Sequence, residues 1–442
     1  MPLNHMHFCG LIRTLASAVS VAWGVSGAFA VDLALDAPGS LAAAISGVPR
    51  DTRSLVISGK ADAAELIVLR DSLPMLAALD MRGLAIMPPE IPEYAFAVTG
   101  LTEIRLPDDI TVIGEGAFAA VPAVSVALPS ALDSIGPYAF AHSKLVSVAL
   151  PASLRAIGSN AFGDCVSLSR VDAGVGLVSL GESAFHGCAL ECLDLSGCKR
   201  LQSIGGRAFE GCESLVSVSL PVRDMALGQA VFMGCGKLHE VSGAAVKTIP
   251  PLMLADAPEA DVSQVLTRGV TTIGGYAFSG NRSVSMVIPS TLDSIGDHGM
   301  ERMKELISID ASDLEHVAAL GYAVWDEVDQ SAVSLTVADG METLFSSADQ
   351  WKEFKITHTS NIADIDVGAT DVALRFDGSR LMVAALCEIV RVDAVTLDGI
   401  LLAAVNPSAQ EVSLDASRWP GDICIVAVTL AGGTRHVYTL SR

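Results

Sequence analysis

Hydrophobic and polar positions repeat at a fixed interval through the middle of the chain. One phrase returns ten times: IPEYAF, IGEGAF, IGPYAF, IGSNAF, LGESAF, IGGRAF, LGQAVF, IPPLML, IGGYAF and IGDHGM. Its last position falls at Phe96, Phe118, Phe140, Phe162, Phe185, Phe209, Phe232, Leu254, Phe278 and Met300, at nearly even spacing. Eight of the 13 phenylalanines occupy that position, which chance does not arrange. A period of about 23 residues marks a stacked repeat, because one such unit cannot bury its apolar stripe alone.

A second phrase follows each Phe. It reads LTEIRLP from Leu101, AVSVALP from Ala123, LVSVALP from Leu145 and LVSVSLP from Leu215, with weaker copies from Leu168, Leu190, Leu238, Ser283 and Leu306. Its alternation, as at Val148 and Leu150, is that of a strand with one face buried. The Pro cannot donate a ladder hydrogen bond and ends the strand. The Ile-Gly pair is read as a tight turn that uses the positive φ open to Gly. Ala-Phe then starts a short helical or irregular segment with the Phe inward. Ten coils at ~4.8 Å per parallel strand make a stack of about 48 Å, with right-handed connections. The eighth copy, IPPLML, lacks both Gly and Phe, and ADAPEADVSQVLTRGV after it is a poor strand. A distorted coil is therefore expected near residues 250–268.

These phrases resemble the BspA-like leucine-rich repeats of bacterial surface proteins, over roughly residues 86–312. The resemblance implies an α/β fold class: a right-handed leucine-rich repeat solenoid over 86–330, with a parallel sheet on its concave face and a short helical or irregular convex side. It also implies adhesion to host matrix, host cells or other bacteria.

Both ends of such an array need covering. Residues 31–85 look like the N-terminal cap common ahead of these repeats, read as a strand at Leu55–Ser58, a turn at Gly59, a helix at Ala61–Arg70 and a strand at Leu76–Met81. Residues 331–360 resemble the family's closing unit, with Trp351 and Phe354 on one helical turn plugging the open end; the competing reading makes them binding aromatics. From 361 to 442 the texture changes to short alternating strands with turns at Asp398-Gly399, Pro420-Gly421 and Gly432-Gly433. That pattern suggests a small β-sandwich. It resembles the C-terminal sorting domain of type IX secretion cargo at Asp398-Gly399, Leu414-Asp415 and Pro420-Gly421. It departs from that family where Ile423 or Cys424 replaces an aromatic and where His436 and Tyr438 stand in place of a terminal Lys.

The segment from Met1 to Ala30 reads as an export signal. Arg13 is followed by an apolar stretch from Leu15 to Val25 and small residues at Ala28 and Ala30, so cleavage is expected after Ala30. The apolar run is too short to span a bilayer, and no later stretch suffices, so no membrane span is expected. Cys9 precedes the apolar run and is misplaced for a lipoprotein cysteine. The remaining chain is expected to be exported, at the cell surface or outside a bacterium.

Composition narrows the function classes. Half of the residues are hydrophobic (51%) and 18% are charged, which excludes a disordered chain. The net charge of −22 argues against a nucleic-acid partner, which needs a basic face. There is no G-x-S-x-G, H-E-x-x-H, G-x-G-x-x-G or Walker loop, so neither an enzyme nor a cofactor site is expected.

Cys165, Cys188, Cys212 and Cys235 each lie three residues after a repeat Phe and form a column. They are read as a ladder of small buried hydrophobes, with disulfides between neighbouring coils or a metal site as alternatives. No C-x-x-C pair exists, so no structural metal is expected. Cys192 and Cys198 flank a strand and a turn. Cys387 and Cys424 both fall in the C-terminal segment and are candidate partners. His142, His186 and His298 read as surface residues near turns, and Asn281-Arg282-Ser283 matches a glycosylation sequon.

The outward positions of the strand phrase are the candidate binding face: Glu103, Arg105, Arg170, Asp172, Asp194 and Glu240 among small residues, with few aromatics. Asp172 and Asp194 lie on adjacent coils, where a carboxylate pair can be catalytic or bind Ca²⁺. The competing reading is a solvated pair with Arg170 as counter-ion. The partner expected from this surface is a protein or glycan on a host or bacterial cell. Glycan capture would call for aromatic platforms; a self-associating structural surface component is a further reading.

Overall fold

In the computed structural model the described residues are 30–244, 246–358, 372–377, 380–396, 401–416, 419, 423–431 and 435–441. The export segment before Ala30, the turn pairs at Asp398-Gly399, Pro420-Gly421 and Gly432-Gly433, and the Cys387 side chain lie outside them. The chain divides into two units at residues 358 and 359.

The first unit is a solenoid of parallel strands. The strand phrase forms short strands such as Ser147–Ala149, Arg170–Asp172 and Cys192–Asp194, which pair in register with the next coil. Side chains alternate as the pattern requires: Val148 and Val171 are buried, while Ser147, Ala149, Arg170 and Asp172 are exposed. A second parallel ladder, which the sequence reading did not anticipate, runs through still shorter strands ending at the Ile before each Gly. Val112–Ile113, Ser134–Ile135, Ala156–Ile157 and Ser179–Leu180 are successive members. The Ala-Phe segment is a run of turns rather than a helix, and alternate N–H groups donate to the next coil. Phe140 N–H bonds the carbonyl of Ala161 at 2.8 Å, and Tyr138 N–H that of Ser159 at 2.9 Å. Over the regular coils each thus meets its neighbour along the two ladders and through the turns, which pairs the backbone groups there.

The phenylalanines form one column. From Phe96 to Phe232 the ring centroids are 5.1 to 5.7 Å apart and nearly parallel, with interplanar angles of 2 to 13°. Each ring is fully buried. Burying a Phe side chain stabilises by about 1.5–3 kcal/mol, and an offset aromatic pair adds about 0.5–1.5 kcal/mol.

The glycine after each Ile is needed for another reason than the one expected. Gly158 and Gly205 are not in the left-handed region. A Cβ on Gly158 would sit 2.6 Å from the Pro137 nitrogen, and one on Gly205 would sit 2.4 Å from the Glu182 nitrogen. These glycines let one coil lie directly on the last. The positive φ falls two positions later, on Tyr138 (55°), Asn160 (53°), Ser183 (54°) and Arg207 (58°).

The eighth coil is distorted, as expected. A 3₁₀ turn, Val262–Gln264, replaces its strand, capped by Asp261, whose carboxylate accepts from Ser263 N–H at 3.0 Å. The strand ladder therefore stops at Glu240–Ala244 and resumes at Ser285–Val287. The Gln264 Oε1 accepts from Val241 N–H at 3.2 Å, supplying the acceptor that the missing strand would have provided.

An eleventh coil follows, LGYAVW, with Trp325 in the Phe position. Its strand Ala319–Leu320 pairs with Ser294–Ile295. Trp351 and Phe354 close the stack. Both are buried, and Trp325 packs against Trp351 at 5.6 Å and against Phe354 at 5.0 Å, edge to face. That burial removes the binding-aromatic reading. Gln350 finishes the end: its Oε1 accepts from Val324 N–H at 2.8 Å and its Nε2 donates to the Gly321 carbonyl at 2.7 Å.

At the other end the cap differs from the expected element bounds. Its strands are longer: Val31–Leu35, Ser54–Asp62 and Ala78–Met87, all parallel. Gly59 lies inside the second strand, with φ of 99°, and is not a turn. The helix is shorter than Ala61–Arg70 because Asp62 and Glu65 form a capping box that starts a 3₁₀ turn at Ala63, followed by an α-helix at Ile67–Ser72.

The second unit is an antiparallel sheet around its own core. The long strand Arg380–Val395 pairs through its first half with Val372–Asp377 and Ala409–Asp415. Its second half pairs with Leu401–Val405 and Ile423–Leu430, and the latter with Arg435–Ser441. Leu381, Val383, Val392, Leu414, Val426 and Val428 fill one cluster. Where a small sandwich was expected, the described strands form one continuous antiparallel sheet whose two halves share the strand Arg380–Val395.

Candidate functional site

The strand phrase places all six expected binding residues on one ladder of the solenoid, spread along it. Glu103 and Arg105 lie on the strand that follows the cap, Arg170 and Asp172 three strand positions on, Asp194 next, and Glu240 on Glu240–Ala244. At ~4.8 Å per strand, Arg105 and Arg170 are about 14 Å apart, so no single pocket gathers the set.

Arg170, Asp172 and Asp194 lie on two adjacent strands. Arg170 Nε donates to Asp172 Oδ1 at 2.9 Å, the counter-ion arrangement expected of a solvated pair. Asp194 Oδ1 accepts from Ser196 N–H at 2.9 Å and Ser196 Oγ at 2.6 Å, closing its own turn. Each carboxylate has a local structural partner, and the geometry offers neither an acid–base pair nor the six or more oxygens of a calcium site.

Arg105 leads to a residue that the sequence reading passed over. Asp80, 5% exposed, lies 3.9 Å from Arg105 Nη1 and takes a bidentate contact from Arg82 at 2.6 to 3.1 Å. Burial pushes the Asp80 carboxyl up. The Arg82 hydrogen bonds, from side chain and backbone, and the charges of Arg82 and Arg105 outweigh that and hold it below the usual range. This cluster ties the cap to the first coil. Its signal was an Asp at an outward strand position, in register with Arg105, with Arg82 two positions on.

The rest of the ladder face carries aliphatic side chains beside the strands. Val124 and Val146 are 56% and 47% exposed on neighbouring coils, and Val284 and Ile307 are 53% and 64% exposed further along. Aromatics are absent there but not from the molecule. Tyr94, Tyr138, Tyr276 and Tyr322 are exposed at the turns, on another side of each coil. A cleft of about 600 Å³ lies between the eleventh coil and the closing unit, lined by Val317, Tyr322, Gln350 and Trp351 among others.

The cysteine column is a set of buried thiols. Each Sγ donates to the Phe carbonyl of the preceding coil: Cys165 to Phe140 and Cys188 to Phe162 at 3.1 Å, Cys212 to Phe185 and Cys235 to Phe209 at 3.2 Å. All four are free. Burial pushes these thiols up, Cys212 to about 12. Cys198 is also a buried thiol and bonds the Gly174 carbonyl at 3.3 Å, whereas Cys192 is half-buried on its strand. The disulfide alternative for the column is not realised. Asn281 occupies the equivalent position four coils beyond Cys188 and is fully buried. Its Nδ2 donates to the carbonyls of Ala257 and Ala260 at 3.1 and 2.9 Å, and its Oδ1 accepts from Ser283, so the folded chain offers no sequon there.

Two histidines follow expectation and one does not. His142 is exposed and His186 partly exposed, both beside Asp164. The His298 side chain is only 18% exposed and is stacked on Tyr276 at 4.8 Å. A ring nitrogen of His298 and carboxylate oxygens of Glu301 and Asp326 bring three potential metal-ligating atoms within 4.8 Å of one another, where the sequence led to no such expectation. His298 and Asp326 are separated by a whole coil, so spacing alone does not connect them. Among the described residues no helix is long and apolar enough to cross a membrane.

Comparison with known proteins agrees with this architecture. Comparison with curated proteins finds no match. Solved structures that align with this chain include a leucine-rich repeat protein from Bacteroides ovatus, at 21% identity, 65% of this chain, 84% of that one and a TM-score of 0.41. The pneumococcal vaccine antigen PcpA aligns at 19% identity over 63% of this chain and 85% of its own, with a TM-score of 0.40. A leucine-rich repeat protein from Eubacterium ventriosum aligns at 14% identity over 68% and 90%, with a TM-score of 0.38. The family described as BspA type leucine rich repeat region matches in six copies, over residues 89–199, 179–298 and 262–367. Those matches together span residues 89 to 367, more than half of the chain, and the chain belongs to the BspA-type leucine-rich repeat family.

Proposed function

We propose that this chain is a secreted or cell-surface bacterial protein that binds another macromolecule through its solenoid, and that it is not an enzyme. The observation that carries this reading is the division of labour along the repeat. Recurrence of the inward Phe, Ile and Gly holds the coils in place, while the outward positions change from Glu103 and Arg105 to Ala127, Asp172, Ser219 and Val287. A rigid ladder with variable outward residues is suited to recognition over an extended surface. Catalysis would need convergent groups, and the acidic pair at Asp172 and Asp194 is committed to Arg170 and Ser196. The export-type segment before Val31 and the sorting-like segment after 361 support placement at the outer surface. The net charge of −22 favours partners that are neutral or basic.

A second reading is glycan capture. It rests on the exposed tyrosines at the turns, since aromatic faces are what sugars stack on, and Tyr322 at 75% exposure borders the cleft at the closing end.

The test uses polystyrene beads coated with the chain from Val31 onward, applied to surfaces bearing fibronectin, collagen, laminin or a glycan array. Retention on a protein surface, reduced by Val284→Asp with Ile307→Asp, supports the main reading. Retention on glycans alone, reduced by Tyr322→Ala, supports the second. No retention on any surface above that of albumin-coated beads contradicts both.

A further inference from the structure

We propose that His298, Glu301 and Asp326 form a binding site for one divalent transition-metal ion of the zinc class, between the tenth and eleventh coils. His298 and Glu301 lie three apart on one turn and face each other, with Nδ1 and Oε2 3.0 Å apart. The two atoms are not aligned as a hydrogen bond, and His298 Nδ1 is a buried polar atom without a hydrogen-bond partner. Asp326 comes from the next coil and brings a carboxylate oxygen within 4.8 Å of a ligand atom on each of the two.

The surroundings hold these donors in place. The imidazole is stacked against Tyr276 at 4.8 Å and met edge-on by Tyr322 at 5.6 Å, so its rotation is restricted. Glu301 uses its other oxygen, Oε1, to accept from Ser279 Oγ at 2.7 Å, and Arg302 Nε lies 3.4 Å from the same oxygen. Arg302 in turn donates to Asp256 at 2.9 Å and to Ser279 at 2.8 Å. The nearest cation is thus engaged on the side away from Oε2, and Lys304 is paired with Glu327 at 2.6 Å. An anchored outer oxygen with a free inner one is how carboxylate ligands are oriented at metal centres.

The donor set selects the ion. One imidazole and two carboxylates suit zinc and its first-row neighbours, whereas calcium needs six or more oxygens. Three protein ligands leave a coordination position for water or for a group on a partner. Metal–ligand bonds of about 2.0–2.2 Å place tetrahedral donors roughly 3.3–3.6 Å apart, so closing the site asks for a small inward movement of Asp326, the exposed member of the three.

Isothermal titration of the full chain with ZnCl₂, paired with thermal unfolding in its presence and absence, tests the site. His298→Ala is a suitable variant because Ala230 and Ala323 occupy the same left-handed position in other coils, with φ of 56 and 47°. Asp326→Asn changes an exposed side chain only. The expected result is one zinc per chain with a dissociation constant in the micromolar range or below, and a zinc-dependent rise in the unfolding midpoint. Either substitution should then weaken binding at least tenfold and abolish the rise. No binding by the unsubstituted chain, or a less than tenfold change in either variant, overturns the proposal.

Discussion

Replacing Phe162 by Ala removes one ring from the middle of the column. The ring is fully buried and lies between Phe140 at 5.3 Å and Phe185 at 5.1 Å. A buried Phe→Ala change costs about 3–5 kcal/mol, and with two stacked partners Phe162→Ala belongs near the top of that range. Phe96 begins the column and stacks only on Phe118, at 5.4 Å. Phe96→Ala should therefore cost less by one aromatic pair, about 0.5–1.5 kcal/mol. Val166→Ala, at a position 71% exposed, should change stability by less than about 0.5 kcal/mol. Urea unfolding followed by hydrogen exchange with mass spectrometry is the assay, because a repeat array can lose coils locally without unfolding throughout. At a slope of about 3 kcal/mol per molar urea, Phe162→Ala lowers the midpoint by roughly 1.6 M. Protection should fall first in the coils next to Phe162. A loss below about 1 kcal/mol, well under the usual cost of a buried Phe→Ala change, or equal losses for Phe162→Ala and Val166→Ala, would refute the argument that the column holds the stack.

Three further predictions concern other parts of the molecule. Gly158→Ala places a Cβ 2.6 Å from Pro137 nitrogen and should destabilise by about 1–3 kcal/mol, whereas Gly236→Ala meets nothing within 4 Å and should be neutral in thermal unfolding. The Asp80 carboxyl is held below the usual range in the folded chain, so its contribution is complete above the unfolded value of about 3.9 and is lost as pH falls through the lower folded value. Asp80→Asn should flatten that acid-side fall in stability, and a denaturation series from strongly acidic to mildly acidic pH that is unchanged in shape would oppose it. The column cysteines are buried thiols, so dithiothreitol should leave the unfolding midpoint unchanged and iodoacetamide should label Cys165, Cys188, Cys212 and Cys235 only on unfolding. A midpoint lowered by reductant would point back to disulfides.

The parts of the fold that were readable in the sequence are those fixed by repetition. Phe, the alternating strand phrase and the failing eighth copy each carry a period, and each appears in the structure where the period puts it. What was missed depends on contacts between coils. The Gly after Ile is demanded by the backbone of the coil beneath it, so its role looked like turn chemistry until that neighbour was in place. LGYAVW escaped notice because Trp325 replaces Phe and follows Met300 at a longer interval than any between earlier copies. Gly59 looked like a turn because an isolated Gly usually ends a strand, but the parallel neighbours on both sides carry the strand through it. Asn281 matched a sequon by three letters, while its burial is set by carbonyls of the preceding coil. His298, Glu301 and Asp326 were illegible for the same reason: successive coils unite them.

The claim that this solenoid works outside the cell is tested most directly by fractionating the native producing bacterium and mapping both termini of the protein by mass spectrometry. The account predicts protein at the outer surface or in the medium that begins at Val31. A chain that keeps Met1 and remains in the cytoplasm would contradict it.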